Sequence, residues 1–121
     1  MIMAELSKGK TTYSTLKIHA STTDRIGSKV LYEYIVGLAM KQGIKGATVY
    51  RGIMGFGSSS GISSSKFWEL TEKLPVVIEL VDETKKLEGF YREIEKDLLG
   101  MKKGCLVALE PTEILLQKKG N

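Results

Sequence analysis

An α+β sandwich in the order β-α-β-(long loop)-β-α-β-β is the fold class that this 121-residue chain predicts, on three observations. Apolar residues alternate at a period of two in "STLKIHA" (14–20) and crowd into two short runs, "PVVIELVD" and "CLVALE", as strands do. They recur at helical spacing from Ile26 to Leu38 and again from Leu87 to Leu98. One helical segment follows the first strand and one follows the third. Two βαβ halves with a hairpin between the middle strands make the ferredoxin-like βαββαβ arrangement.

Residues 1–12 are polar and aperiodic, a flexible N-terminal arm ahead of a single domain at 13–121. In the first strand Leu16, Ile18 and Ala20 point one way, Lys17 and His19 the other. Asp24 offers an N-cap to a helix carrying Ile26, Val30, Leu31, Tyr34, Ile35 and Leu38, about four to five turns long. Gly43 closes that helix near its C-cap. "GATVYRGIM" (46–54) is β-branched and aromatic, a second strand. After the glycine- and serine-rich stretch comes the third strand, then a helix carrying Leu87, Phe90, Tyr91, Ile94 and Leu98, with Asp82 or Thr84 as its cap. Gly100 and "MKKG" make a turn, "CLVALE" is the fourth strand, Pro111 breaks it, and "TEILLQ" is a short extra C-terminal strand.

Helices on one face of an antiparallel sheet usually leave the other face polar. Here Val77, Val81, Val107 and Leu109 stand opposite Val76, Ile78, Leu80, Leu106 and Ala108, and no third helix is available to cover a second apolar face. Burial against further copies of the chain answers this, as does an extended single-domain core.

A hydrophobic fraction of 42% and a charged fraction of 26% are those of an ordinary globular protein. A net charge of +4 and a pI near 9.1 suit small anionic ligands as well as nucleic acid, and a solvated surface with a slight lysine excess is the simplest reading. Cys105 has no second cysteine to pair with, and one Cys with one His does not assemble a zinc site. Within "CLVAL" it reads as a buried, inert thiol. The N-terminal residues lack a signal-peptide core, and no apolar run approaches the ~18 residues of a membrane span, so the expectation is a cytoplasmic protein.

The stretch "GIMGFGSSSGISSSK" (52–66) holds glycines at 52, 55, 57 and 61. Neither G-x-G-x-x-G nor G-x-x-x-x-G-K-[ST] fits that spacing, and the segment does not open a helix. Backbone N–H groups freed by glycine could form an anion nest; the alternative is a mobile hairpin excursion. Loops of this length are usually functional or disordered. Phe67 and Trp68 at its far end would anchor its return, or less simply stack on a base. No G-x-S-x-G, no H-E-x-x-H and no Cys–His pairing with a third member is present. His19 reads as a structural or interface histidine, and Arg92 to Asp97 as a solvated charged helix face.

"GIKGATV" (43–49) followed by Gly55-Phe56-Gly57 and then Gly61 resembles the PII signalling proteins, where such residues begin the second strand and open a long T-loop. The wider pattern, "GATVYRGIMGFG" followed by "LPVVIELVD", is more similar still to the PII-like family called domain of unknown function 190, over about residues 14–117. The resemblance implies a ferredoxin-like subunit in a homotrimer, with sheets facing the centre and an adenine nucleotide (AMP, ADP or ATP) in the cleft between subunits. It implies a regulatory ligand rather than a required cofactor, no enzymatic activity and no nucleic acid. Carried over by position, Thr48 matches the threonine near the T-loop base. Gly55, Phe56, Gly57 and Ser58 match its root, Gly104 the last glycine of the turn before the fourth strand, and Lys118 one of two terminal arginines. Lys102 and Lys103 in that turn could supply phosphate charge by ordinary electrostatics. Gly52 could absorb one extra strand residue as a bulge. Arg51 either compensates for missing cations or faces solvent or a neighbouring subunit.

The chain departs from PII at several points. Cys105 stands where PII has a lysine, Leu116 where it has the other arginine, and Ser58-Ser59-Ser60 where it has "R-Q-K". No tyrosine lies between Gly57 and Pro75 for covalent modification. Fewer phosphate-pairing cations imply a weaker site, or a mono- or diphosphate ligand. The expected function is a non-enzymatic regulator that presents residues 55–68 to a protein partner, a membrane transporter or an enzyme. The alternatives are a small phosphate-loop enzyme, for which only Lys66, Glu69 and unactivated serines offer themselves, and a nucleic-acid module, disfavoured because its third and fourth strands are aliphatic.

Overall fold

The computed structural model of the chain describes residues 12–57, 60–64 and 73–120. Ser58, Lys66, Phe67, Trp68 and Glu69, like nearly all of the N-terminal arm, lie outside the described residues.

The structure is α+β. Strand β1 (Tyr13–Ser21) leads through the two-residue strands β2 (Arg25–Ile26) and β3 (Lys29–Val30) into helix α1 (Leu31–Lys41). Strands β4 (Gly46–Arg51), β5 (Met54–Gly57), β6 (Ser60–Ser64) and β7 (Pro75–Glu83) follow, then α2 (Thr84–Leu99) and β8 (Leu106–Thr112). The main sheet is antiparallel with order β4-β7-β1-β8, so β7 and β1 are central and β4 and β8 are its edges.

Alternation along β1 and β7 buries Leu16, Ile18, Val76, Ile78 and Leu80 beneath the two helices. The helices contribute Leu31, Ile35 and Ala39 from α1 and Leu87, Phe90, Ile94 and Leu98 from α2, the i, i+3/i+4 stripes visible in the sequence. A Tyr34 hydroxyl donating to Asp97 Oδ2 at 2.8 Å ties one helix to the other. Both tyrosine and acceptor sit partly buried, and that bond holds the phenol's pKa above its ordinary value.

Helix α1 starts later than the Asp24 cap predicts. Residues 25–30 form a hairpin instead, with Gly27 at φ +61 as the first central residue of a two-residue turn, as a type II′ turn requires. Asp24 serves the turn: its Oδ2 accepts the Ser21 N–H at 2.9 Å and its carbonyl accepts the Leu31 N–H at 2.8 Å. The C-terminal expectation holds. Gly43 at φ +73 donates to the Met40 carbonyl and Ile44 to that of Ala39, the paired bonds of a Schellman motif. At α2, neither Asp82 nor Thr84 occupies the N-cap position, which is Glu83. Asp82 Oδ1 instead accepts the Glu83 N–H at 2.6 Å, and the Thr84 hydroxyl pairs with Ser14.

The second strand ends at Arg51, and its register with β7 is continuous, so Gly52 makes no bulge. Its N–H donates to the Pro75 carbonyl at 2.7 Å, closing the end of the β4–β7 ladder. Pro111 does not break the fourth strand. It lies inside β8, opposite Ser14, on an edge strand where a missing N–H is tolerated. The extra C-terminal strand does not form: residues 113–120 lie outside any helix or strand.

The cross-strand register also redistributes the apolar residues. Val107 pairs with Ile18 and Leu109 with Leu16, which puts both on the helix side. The open side carries Val77, Val81, Leu106 and Ala108 together with Thr48, Tyr50, Lys17, Glu79 and Glu110. Lys17 Nζ lies 3.0 Å from Glu110 Oε1, and Tyr50 donates its hydroxyl to Glu79 Oε2. The open face is therefore a mixed surface, less apolar than the sequence suggests.

Candidate functional site

At one end of the sheet the C-terminal residues of β1 meet the first residues of β7 and β8, because β7 and β8 both run antiparallel to β1. Ser21 pairs with Pro75, and His19 pairs with Val77 on one side and Leu106 on the other. A cavity of about 470 Å³ opens there. Its floor is His19, Ala20 and Ser21 of β1 with Pro75, Val76 and Val77 of β7. One wall is the loop root Gly55-Phe56-Gly57, and the other is Lys103-Gly104-Cys105 of the turn before β8. Lys73, Leu74, Asp24 and Leu106 complete it.

Backbone geometry sets the first wall. β5 pairs with β6 with a register irregularity between Gly55 and Gly57, so the long loop leaves the sheet as a β-hairpin. A Cβ on Gly55 would come 3.3 Å from Pro75 Cγ, and one on Gly52 only 2.9 Å from the same atom. Glycine at both positions lets the loop root pass close over the start of β7. Phe56, 81% exposed, presents its ring at the cavity instead of burying it in the core.

The polar groups fall at two poles. Asp24 is 5% exposed and bonded to the Ser21 N–H, a fixed negative group in the wall. Lys73 and Lys103 supply two cations, and their proximity lowers the Lys73 pKa from its ordinary value; Asp24 opposes that shift only in part. Burial, followed by the Asp24 charge, raises the Cys105 thiol above its usual pKa, so at neutral pH it is a protonated, half-buried group. Among the described residues, no group of three or more His, Cys, Asp or Glu is placed to hold a metal ion.

Of the residues singled out from the sequence, Gly55, Phe56, Gly57, Lys103 and Gly104 line this one cavity. Thr48, Arg51, Gly52, Lys102 and Lys118 do not line it, and Ser58 is outside the described residues. Sequence reasoning missed Lys73, Asp24 and the cavity position of His19. In the sequence Lys73 is marked only as preceding Leu74-Pro75; its place at the site follows from the pairing of Pro75 with Ser21, which the sequence does not show.

Residues 13–114 match the family model DUF190, described as Uncharacterized ACR, COG1993. A UPF0166 protein of Aquifex aeolicus (strain VF5) is 36% identical over 100 residues, covering 83% of this chain and 90% of that protein. A UPF0166 protein of Methanocaldococcus jannaschii is 39% identical over 67 residues, 55% of this chain and 61% of its own length. Among solved structures, CPII, a nitrogen regulatory PII-like protein from Thiomonas intermedia K12 bound to ADP, AMP and bicarbonate, is similar with a TM-score of 0.60. The likeness covers 85% of this chain and 90% of that one at 14% sequence identity, and is a likeness of fold. A second CPII structure, bound to ADP and bicarbonate, gives 0.58 at the same identity and coverage. With a family match over most of its length and relatives above one-third identity, the chain belongs to the DUF190 family.

Proposed function

We propose that this protein is a non-enzymatic, PII-like regulator that binds an adenine nucleotide at the sheet-end cavity and presents residues 55–68 to a protein partner. One observation carries the reading: the loop root Gly55–Gly57 and the turn Lys103–Gly104, far apart in sequence, form opposite walls of one cavity. Its volume, about 470 Å³, is within the usual range for small-molecule sites of about 300–1,000 Å³. An exposed aromatic ring beside a pair of lysines suits a base and its phosphate. The ADP and AMP held by the PII-like CPII support the same ligand class.

In this reading the sheet order β4-β7-β1-β8 is the ferredoxin-like winding of one subunit in a homotrimer. Thr48, Arg51, Lys102 and Lys118 then reach the nucleotide, with Ser58, from the cleft between neighbouring subunits. Gly52 acts on it only through the path of the loop root. The partner is a membrane transporter or an enzyme whose contact with the loop depends on occupancy.

The test is thermal melting with AMP, ADP, ATP and cyclic AMP at millimolar concentration. A nucleotide at a hundredfold its Kd stabilises the native state by about 2.7 kcal/mol, an upward shift of about ten degrees for a domain of this size. Melting curves that superimpose with and without all four nucleotides remove the reading.

A further inference from the structure

We propose that Lys73 and Lys103 form a two-lysine clamp for one phosphate-class anion, making Lys73 a ligand-binding residue of the cavity. This rests on the nucleotide reading and narrows it to ligands carrying one or two phosphates.

The fold brings the two side chains together. Lys73 stands two residues before β7 and Lys103 in the turn before β8, and these strands start at the same end of the sheet on either side of β1. Strands separated by one intervening strand are about 10 Å apart, a gap that two extended lysine side chains span from opposite sides. Both line the cavity beside the glycine backbone of the loop root.

Among the described residues, neither ammonium group has an ion-pair partner. The ammonium groups approach closely enough that Lys103 is the main cause of the depressed Lys73 pKa. Asp24 is the acid that acts against this, and its Oδ2 is already engaged by the Ser21 N–H. Two convergent like charges beside an apolar floor are unfavourable until a counter-charge enters, and a phosphate dianion supplies one that both lysines can bond at once. Two cations match a terminal phosphate or a diphosphate and leave the third phosphate of a triphosphate without a partner from this pair.

Titration calorimetry of the full chain with ADP, inorganic pyrophosphate and adenosine tests this on the wild type, Lys73→Gln, Lys103→Gln and Lys73→Arg. Each Gln variant is expected to weaken ADP and pyrophosphate about tenfold, to leave adenosine unchanged, and to melt at or above the wild type without ligand because the repulsion is gone. Lys73→Arg is expected to retain the anion. Wild-type affinity for ADP in Lys73→Gln overturns the clamp and leaves the nucleotide reading standing. Pyrophosphate binding without ADP binding supports the clamp and sinks the nucleotide. A wild type that takes up neither overturns both.

Discussion

A carboxylate buried at the end of a strand has to be matched atom by atom, and Asp82 shows how. It is 1% exposed, and its two oxygens accept the Glu83 N–H at 2.6 Å and the Lys45 N–H at 2.9 Å, with Lys86 Nζ 3.6 Å away. The bond to Lys45 ties the approach to edge strand β4 onto the end of β7. Asp82→Ala leaves two backbone donors unpaired at about 1–3 kcal/mol each, so a loss of roughly 2–6 kcal/mol in urea unfolding is expected. Asp82→Asn keeps one acceptor and should lose less. Cys105 carries a different residue-scale expectation. With the native thiol pKa raised above 9.0, the native state keeps its proton longer than the unfolded chain does. That contribution to stability is intact below about pH 9 and is lost as the pH rises through the native pKa. At pH 8 iodoacetamide should therefore label Cys105 more slowly than it labels an unstructured cysteine peptide, and ADP should slow it further because the residue lines the cavity.

At the scale of elements, periodicity marked what packing enforces and missed what single turns decide. The stripes of α1 and α2 and the alternation of β1 follow from burial under or over the sheet, so they were readable residue by residue. The Gly43 cap was readable for a similar reason, since few residues other than glycine accept φ +73. The hairpin at 25–30 was not, because Ile26 and Val30 satisfy a helical period while Gly27 imposes a turn. Pro111 misled for the opposite reason. Its local penalty is cancelled by an edge position that only the strand order reveals. At the site, the loop root and the glycine turn were legible as motifs, whereas Lys73 became visible only when the strand starts were brought together. Gly52 joins these elements. A Cβ there would sit 2.9 Å from Pro75 Cγ while the Gly52 N–H holds the Pro75 carbonyl. Gly52→Ala is expected to cost about 1–3 kcal/mol by overpacking, read as a lower Tm. Because Pro75 is part of the cavity floor, the same variant should also weaken ADP.

The whole molecule poses a question that one chain does not answer internally. Leu106 is 61% exposed on the open face, in the same cross-strand row as His19, Val77 and Tyr50. Next to it runs a row in which Lys17 and Glu79 are flanked by Thr48 and Ala108. Around the axis of a trimer such a face would bury its apolar row and leave its charges paired within each chain. Tyr50 to Glu79 and Lys17 to Glu110 already are. Groups already paired within one chain lose less on burial than an unpaired charge, which has no partner to meet. Leu106→Glu is therefore expected to leave the monomer folded, since the residue is outside the buried core, while opposing association. Light scattering should give the wild type three times the 13.4 kDa of one chain and the variant a mass approaching 13.4 kDa. Because Leu106 also lines the cavity, the variant should lose its ADP-dependent rise in Tm through the carboxylate it introduces there and, if the nucleotide sits between subunits, through the missing wall as well. A variant that is monomeric yet still fully stabilised by ADP would place the entire binding site within one chain.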